Sequence, residues 1–190
     1  MRESPKRRSG YPSDVSDAQW ELVKGYLDCL PDEPGPQRRL YERRAVLNAI
    51  LYRLRTGCQW RFLPNDLPDW QTVFHYFQKW SGDGTIERLM NDLRAKVRAK
   101  EGRSEESSAA IMDSQSVKAA EEATGTGFDA GKRIKGRKRH PIVDVLGLLI
   151  CVLVTSAGLQ DRDAVKDLLP RLSEAEGKVT LLWADAAYRG

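Results

Sequence analysis

Two short apolar runs in the second half of the chain each end abruptly in an aspartate. Residues 109–112 (Ala-Ala-Ile-Met) precede Asp113, and residues 179–184 (Val-Thr-Leu-Leu-Trp-Ala) precede Asp185. Apolar runs of this length, bounded by small polar residues, are typical of buried strands. Two strands that each deliver one carboxylate at the same end are suited to hold a divalent cation. For one such aspartate alone a turn cap is the better interpretation, but the repetition and the basic segment between them favour a site.

The chain has 190 residues, a formal net charge of +4 and 41% hydrophobic residues, enough for one large or two small domains. Its basic residues are clustered near the N-terminus, between residues 38 and 55 and between residues 132 and 139, which favours a polyanionic partner. No stretch has the character of a signal peptide, and the apolar segment 145–154 is too short to span a bilayer. We therefore expect a cytoplasmic protein without a membrane partner. The three cysteines have no metal or redox spacing, which suits a reducing compartment.

The first half of the chain has the pattern of a small helical domain at residues 13–100, preceded by a basic flexible arm at residues 1–12. Apolar stripes and capping residues predict four helices, at about 16–30, 40–55, 69–81 and 85–100. A turn-rich piece joins two of them, which leaves two interpretations open. The domain is either a helix-turn-helix-like DNA reader or a plain helical bundle with a solvated basic face.

The polar stretch 101–108 is the expected linker to a second domain at 109–190. In that domain the predicted order is strand, strand, strand, helix, strand. A hairpin turns at Leu146 and Gly147, and Pro170 disturbs the last turn of the helix. This order is that of the opening half of a ribonuclease H-like mixed α/β domain, so the fold class is α+β overall. The first and fourth strands of that arrangement lie side by side, which brings Asp113 and Asp185 together.

A long glycine-containing loop is predicted from about residue 119 to residue 139. Its backbone is suited to approach phosphates closely, although it lacks the Gly-Lys-Ser/Thr ending of a P-loop. The side chains predicted to bind DNA in this segment are Lys132, Arg133, Lys135, Arg137, Lys138 and Arg139.

Several motifs in a fixed order resemble those of bacterial insertion-sequence transposases of the IS-five type, in the DDE superfamily. In the second half they are residues 111–118, 136–140, 143–148, 160–163 and 183–190. In the first half they are residues 11–14 with Trp20, 57–64 and 70–74. The resemblance covers nearly the whole chain. It implies binding of terminal inverted repeats and target DNA, both double-stranded, followed by cleavage and strand transfer through metal-dependent phosphoryl transfer.

The resemblance assigns Asp113 and Asp185 as catalytic, metal-binding carboxylates for Mg²⁺ or Mn²⁺. Lys118, Arg43 and Arg44 join the predicted DNA contacts. The family's third acid, a Glu on a later helix, has no counterpart here, so a C-terminally truncated chain is expected. It would be a fragment, a frameshifted half or a decayed copy, inactive alone unless a downstream polypeptide supplies the acid. Family membership further implies a homo-oligomer when active and association with the nucleoid.

Three functions remain open from the sequence. The first is a transposase completed by another polypeptide, and the second is a non-catalytic DNA-binding fragment that occupies element ends and inhibits transposition. The third is a different nuclease on the same fold, such as a ribonuclease, which a preference for RNA–DNA hybrids would separate from the others.

Overall fold

The computed structural model describes residues 10–28, 41–120 and 123–188. Predictions for residues 1–9, Leu30, the expected loop 31–36, Arg38 and Arg39 lie outside the described residues. By its internal contacts the chain divides into two units between Met90 and Asn91, within a helix.

The first unit is helical, as predicted. Its elements are α1 (Asp17–Asp28), α2 (Arg43–Thr56), a 3₁₀ turn (Trp60–Phe62), α3 (Trp70–Gly82) and the start of α4 (Thr85–Lys100). Apolar side chains from these helices and their connections form one core, which includes Leu27, Val46, Ala49, Ile50, Leu63, Leu67, Val73 and Trp80. The predicted helices therefore close around a single apolar interior.

Capping residues set one end of each of the first three helices. At α1, the Ser16 N–H donates to Gln19 Oε1 at 2.8 Å, and the Gln19 N–H donates to Ser16 Oγ at 3.2 Å. Gly57 ends α2 with a left-handed φ of 70°, a conformation that side chains disfavour. The Asp69 carboxylate accepts the Thr72 N–H at 2.9 Å and caps α3.

The predicted flexible arm includes one residue that packs firmly. The Tyr11 ring lies 4.7 Å from the Tyr52 ring, between centroids, and its hydroxyl donates to Asp66 Oδ1 at 2.8 Å. Tyr11 is thus a structural part of the helical unit.

The second unit is built on a six-stranded mixed sheet with one helix, α5 (Asp161–Ala175), packed on it. Its strands are β1 (Ala109–Met112), β2 (Gln115–Lys118), β3 (Gly127–Asp129), β4 (Ile134–Asp144), β5 (Leu149–Ser156) and β6 (Leu181–Ala184). The sheet order is β2-β4-β1-β6, and β3 and β5 also pair with β4. The predicted hairpin is the β4–β5 pair. The predicted side-by-side placement of the first and last strands is confirmed, because β1 and β6 pair in parallel.

The prediction of a continuous loop over residues 119–139 was wrong. Residues 127–129 form β3, and β4 begins at Ile134, inside the basic run. The exposed Arg137 and Arg139 alternate along β4 with the buried Lys138 and His140. This is the period of a strand, but hydropathy hides it because a lysine occupies a buried position.

The helix between the hairpin and the last strand is longer than predicted. It starts at Asp161, in the expected polar corner, and continues through Pro170 to Ala175. Pro170 removes one intrahelical donor. Leu168 and Leu172, buried on either side of it, hold the helix against the sheet.

The two faces of the sheet differ. One packs against α5, with Ala110, Met112, Ile142, Ile150, Ala164, Leu168 and Leu172 in its core. By strand alternation, with a register shift in β5 between Leu149 and Cys151, the other face presents apolar side chains that are exposed to solvent, namely Ile111, Val117, Leu149, Val152, Val154, Leu181 and Trp183.

The second half of α4 and the polar stretch after it belong to the second unit. Arg98 Nη1 donates to Asp144 Oδ2 at 2.5 Å, and Arg94 Nε donates to Glu176 Oε1 at 2.9 Å. The Ser107 N–H donates to Glu176 Oε2 at 2.9 Å. Asp144 also accepts two backbone N–H groups of the hairpin turn, from Leu146 and Leu148, and is therefore a structural residue. The domain limits proposed from the sequence stay predictions.

Across residues 10–28, 41–120 and 123–188, every helix falls short of the length and apolar character that a membrane span requires.

Candidate functional site

Asp113 lies at a break in an otherwise continuous edge of β4. Met112 lies opposite Ile142 and Gln115 lies opposite Arg139, so the two intervening residues lie opposite Pro141 and His140. The Asp113 N–H donates to the Pro141 carbonyl at 3.3 Å. Proline has no N–H with which to return this bond. The ladder therefore opens at Asp113, and β1 and β2 are separate strands in one register.

Asp185 leaves the neighbouring strand at the same level. Met112 pairs with Ala184 in the parallel β1–β6 ladder, so Asp113 and Asp185 are the next residues of two strands that run about 4.8 Å apart. A short 3₁₀ turn, Ala186–Tyr188, follows at once. The structure thus brings together the two carboxylates that the sequence predicts as a pair.

Each carboxylate accepts one backbone hydrogen bond from the turn that follows it. The Ser114 N–H donates to Asp113 Oδ1 at 2.7 Å, and the Ala187 N–H donates to Asp185 Oδ1 at 3.0 Å. Both aspartates are exposed, and no Lys or Arg among the described residues forms an ion pair with either.

Two neighbouring carboxylates without a cationic side chain suit a hard cation. Mg²⁺ is usually held in proteins by one or two carboxylates, with water and substrate phosphate completing its shell. Asp113 and Asp185 fit that donor set. Within residues 10–28, 41–120 and 123–188, no group of three or more His, Cys, Asp or Glu side chains is suited to a metal.

The predicted DNA contacts of the basic run divide between two environments. Those exposed to solvent are Lys118, Lys132, Arg133, Lys135, Arg137 and Arg139. Lys138, in contrast, is 6% exposed, and its Nζ lies 2.9 Å from Asp161 Oδ1 and 3.6 Å from Asp129 Oδ2. It also donates to the Leu159 carbonyl at 3.0 Å. Strand alternation turns Lys138 towards α5, where its charge is paired with the carboxylates of Asp161 and Asp129.

Asp129 is stabilised as a carboxylate by the same surroundings. The Ser116 hydroxyl and the Lys132 N–H donate to it, and Lys138 and Lys132 add positive charge, so the pKa of Asp129 falls to about 2. This carboxylate and its neighbours join β2, β3 and β4 on the α5 side of the sheet.

In the helical unit, the two arginines predicted to bind DNA have partners within the unit. Arg43 is buried, with its guanidinium carbon 4.6 Å from the centre of the Tyr76 ring. Arg44 donates to Asp17 Oδ1 at 2.6 Å and to the Val15 carbonyl at 2.7 Å.

Comparison with known proteins gives the same division of the chain. Residues 15–90 match the family model described as "Putative transposase of IS4/5 family (DUF4096)", and residues 104–190 match the model "Transposase DDE domain". An insertion element IS402 protein of 16.2 kDa from Burkholderia cepacia, named as uncharacterized, is 32% identical over 111 residues. The match spans 55% of this chain and 73% of that protein. The chain belongs to the IS4/5 family of DDE transposases.

A second similar protein, the uncharacterized y4sN of Sinorhizobium fredii, is 27% identical over 121 residues, which are 63% of this chain and 88% of that protein. No solved structure matches the chain. The DDE domain model implies a ribonuclease H-like fold for the second unit of this transposase-family chain, and the α+β architecture agrees with it. The resemblance seen in the sequence motifs is thereby confirmed.

Sequence reasoning missed four polar residues on the α5 side of the sheet, behind the aspartates of this transposase-family chain. They are Ser114, His140, Asp161 and Tyr188. For His140 the sequence carried a signal, because alternation along β4 directs Lys138 and His140 to the same face.

Proposed function

We propose that this chain acts in transposition by binding the terminal inverted repeats of its insertion element and contributing two metal-binding carboxylates to DNA cleavage and strand transfer. The observation that carries the proposal is the parallel β1–β6 pair, which ends in Asp113 and Asp185 at one edge of the sheet. A carboxylate pair at the edge of a mixed sheet suits phosphoryl transfer, because the protein's main task is to position the metal and the phosphate.

Asp113 and Asp185 would hold Mg²⁺ or Mn²⁺, which when bound polarises the phosphodiester and activates the attacking oxygen. The backbone N–H groups of Ser114 and Ala187 each hold one oxygen of these carboxylates. Both aspartates are exposed, so a metal and a phosphate would reach their carboxylates without a movement of the sheet.

The exposed cations of β4 and its neighbours are the proposed DNA contacts of this unit. Lys135, Arg137 and Arg139 project from the side of β4 opposite Lys138, and Lys118, Lys132 and Arg133 lie nearby along the chain. Contacts of this kind neutralise phosphates and fix the position of the duplex without reading its sequence. For the helical unit we propose recognition of the element ends, in a cytoplasmic, nucleoid-associated protein that forms a homo-oligomer when active.

We propose that cleavage needs a third acidic group from a further polypeptide segment. The family resemblance carries three acids, of which Asp113 and Asp185 account for two, and among the described residues no group of three or more His, Cys, Asp or Glu side chains is suited to a metal. The exposed apolar face that carries Ile111 and Trp183 supports the idea, because exposed apolar patches mark surfaces that another element covers. Such a segment would cover the part of this face around Ile111 and Trp183 and deliver its acid beside the two aspartates.

A cleavage assay on labelled element-end DNA with Mg²⁺ or Mn²⁺ tests this function. The chain alone should bind the ends without cutting them, and addition of a segment encoded downstream in the element should restore cutting. Asp113→Asn and Asp185→Asn should each abolish the restored cutting. Cutting by the chain alone would overturn the need for a third acid, and full activity of the asparagine variants would overturn the assignment of the site.

The alternative is a non-catalytic fragment that occupies element ends and inhibits transposition. It is favoured by the separate apolar core of the helical unit, which depends on neither aspartate. In that case end binding and inhibition in cells should persist in the double variant Asp113→Asn, Asp185→Asn, and no added segment should yield cutting.

A further inference from the structure

Behind the two aspartates, on the α5 side of the sheet, lies a set of buried and half-buried polar residues that the proposed reaction does not use directly. Ser114 follows Asp113 and is 6% exposed. Its hydroxyl donates to Asp161 Oδ2 at 2.8 Å, and its carbonyl accepts Lys132 Nζ at 2.9 Å. The residue is therefore fixed through both its side chain and its backbone.

Asp161 is itself held in place. It is the first residue of α5, where a carboxylate is favoured by the helix N-terminus. Its Oδ1 lies 2.9 Å from Lys138 Nζ, and the side chains of this pair are 11% and 8% exposed. Lys138 Nζ also donates to the Leu159 carbonyl at 3.0 Å, and Asp161 Oδ2 accepts from Ser114, so each member of the pair has a further partner. Ser114 is thus tied to a rigid support that joins α5 to β4.

The turn that follows Asp185 has a support of the same kind. Tyr188 closes that turn, and its hydroxyl lies 3.0 Å from His140 Nδ1. His140 is fully buried, and its Nε2 lies 3.1 Å from Thr155 Oγ1. Thr155 donates its own proton to the Ser156 carbonyl at 3.1 Å, so it accepts from His140. His140 is then protonated at Nε2, and Tyr188 donates to Nδ1.

The hydrogen-bonded groups that hold Ser114 and Tyr188 lie on the same side of the sheet. Ser114 lies opposite His140 in the register of β4, so both side chains project towards α5. Each aspartate thus stands on a turn that is anchored from behind, and the two anchors include residues that lie opposite each other, Ser114 and His140.

We propose that Ser114 and Tyr188 are positioning residues that fix the separation of the Asp113 and Asp185 carboxylates for a divalent metal. This inference rests on the proposed function of the two aspartates. Support of metal-binding groups by hydrogen-bonded neighbours typically changes metal affinity by about tenfold or more. Ser114→Ala and Tyr188→Phe remove only hydroxyl groups, so neither changes the net charge near the metal.

Terbium luminescence tests the proposal without requiring DNA cleavage. Tb³⁺ is a hard cation that binds carboxylates, and Trp183, two residues before Asp185 on β6, is placed to sensitise it. We expect Tb³⁺ affinity, measured by titration and reversed by Mg²⁺, to fall about tenfold in Tyr188→Phe and in Ser114→Ala. Asp113→Asn and Asp185→Asn should remove most of the site-specific signal.

A stability control separates positioning from general loosening. Leu168→Val shortens a fully buried side chain of α5 and lowers the thermal midpoint without touching the anchors. If Leu168→Val weakens Tb³⁺ binding as much as Tyr188→Phe does at an equal loss of midpoint, the positioning role is refuted.

The aspartate variants separate the two proposals. Weaker binding in the asparagine variants with unchanged binding in Ser114→Ala and Tyr188→Phe would overturn the positioning role and leave the proposed function standing. Wild-type Tb³⁺ binding in Asp113→Asn and Asp185→Asn would overturn the metal site and the positioning role together.

Discussion

At the scale of single residues, His140 shows how much the interior of the second unit depends on a neutral imidazole. Burial lowers the pKa of His140 in the folded chain, and the nearby Lys138 and Lys132 add to that effect against the opposing pull of Asp161. With Nε2 donating to Thr155 and Nδ1 accepting from Tyr188, a second proton on the ring would break the latter bond. The site behind the aspartates therefore requires the unprotonated form.

This requirement predicts a pH dependence of stability. The folded-state pKa of His140 lies below the unfolded value of about 6.5, so the unfolded chain takes up the proton first as pH falls. The stabilisation is complete above pH 6.5 and is lost as pH falls from there towards the folded-state pKa. Urea unfolding at pH 7.5, 6.5 and 5.5 should show this decline, and His140→Gln should flatten it. An unchanged pH slope in that variant would contradict the role given to His140.

A second residue-scale prediction concerns the buried ion pair of Arg98 and Asp144, whose side chains are 5% and 0% exposed. Arg98→Met leaves a buried carboxylate without its charge partner, which should lower the free energy of unfolding by about 3 to 5 kcal/mol. The exposed pair of Lys178 and Glu106 is a matched control, and Lys178→Met should cost less than about 1 kcal/mol. Urea unfolding measures both variants. Equal losses of unfolding free energy would refute the claim that the buried pair stabilises the fold more than the exposed pair.

At the scale of elements, β4 organises the second unit, because β1, β2, β3 and β5 all pair with it. Gly136 is where this crowding is greatest. A Cβ atom there would lie 2.0 Å from the Val117 carbonyl oxygen and 2.9 Å from the Ala119 nitrogen, both backbone atoms that cannot move aside cheaply. Glycine is needed here because the two strands approach closely. Its backbone φ is one that any residue can adopt.

We therefore expect Gly136→Ala to separate β2 from β4 and to destabilise the unit by about 3 kcal/mol or more, at the upper end for overpacking. Gly131→Ala is the control, since its Cβ would meet only Asp129 Oδ1 at 3.5 Å. Thermal unfolding followed by circular dichroism measures both. A Gly136→Ala midpoint as high as that of Gly131→Ala would contradict the packing argument.

The elements that the sequence predicts well are those with local signals. Ser16 with Gln19, Gly57 and Asp69 mark helix ends through contacts within a few residues, and the apolar runs before Asp113 and Asp185 mark buried strands. Pairing of those two strands follows from the order of the elements. β2, β3 and the start of β4 were missed because their partners are distant and Lys138 occupies a buried position. The supports at Ser114 and Tyr188 depend on the same long-range pairing, so no local pattern reveals them.

At the scale of the whole molecule, the net charge of +4 is less informative than its distribution over β4 and its neighbours. The exposed cations there should bind phosphates by displacing counterions, so DNA affinity should fall steeply with salt. We expect Arg137→Gln and Arg139→Gln each to reduce the slope of log affinity against log salt by about one. Fluorescence anisotropy on duplex DNA between 50 and 200 mM salt, at roughly physiological ionic strengths, measures that slope.

Lys138→Met is the matched variant for this measurement. It removes the same charge from the same strand, but Lys138 is enclosed by Asp161 and Asp129. The salt slope should therefore stay at the wild-type value while stability falls. A slope reduced as much as in Arg139→Gln would mean that Lys138 reaches DNA.

The alternation along β4 also bears on how this gene tolerates change. Loss of one codon between Ile134 and His140 would shift the remaining strand by one residue and exchange its two faces, sending Lys138 outward and an arginine into the interior. Exchange between lysine and arginine at positions 135, 137 or 139 keeps both faces intact. Drift among element copies should accordingly leave the number of codons in this segment fixed while the basic residue chosen at each outward position varies.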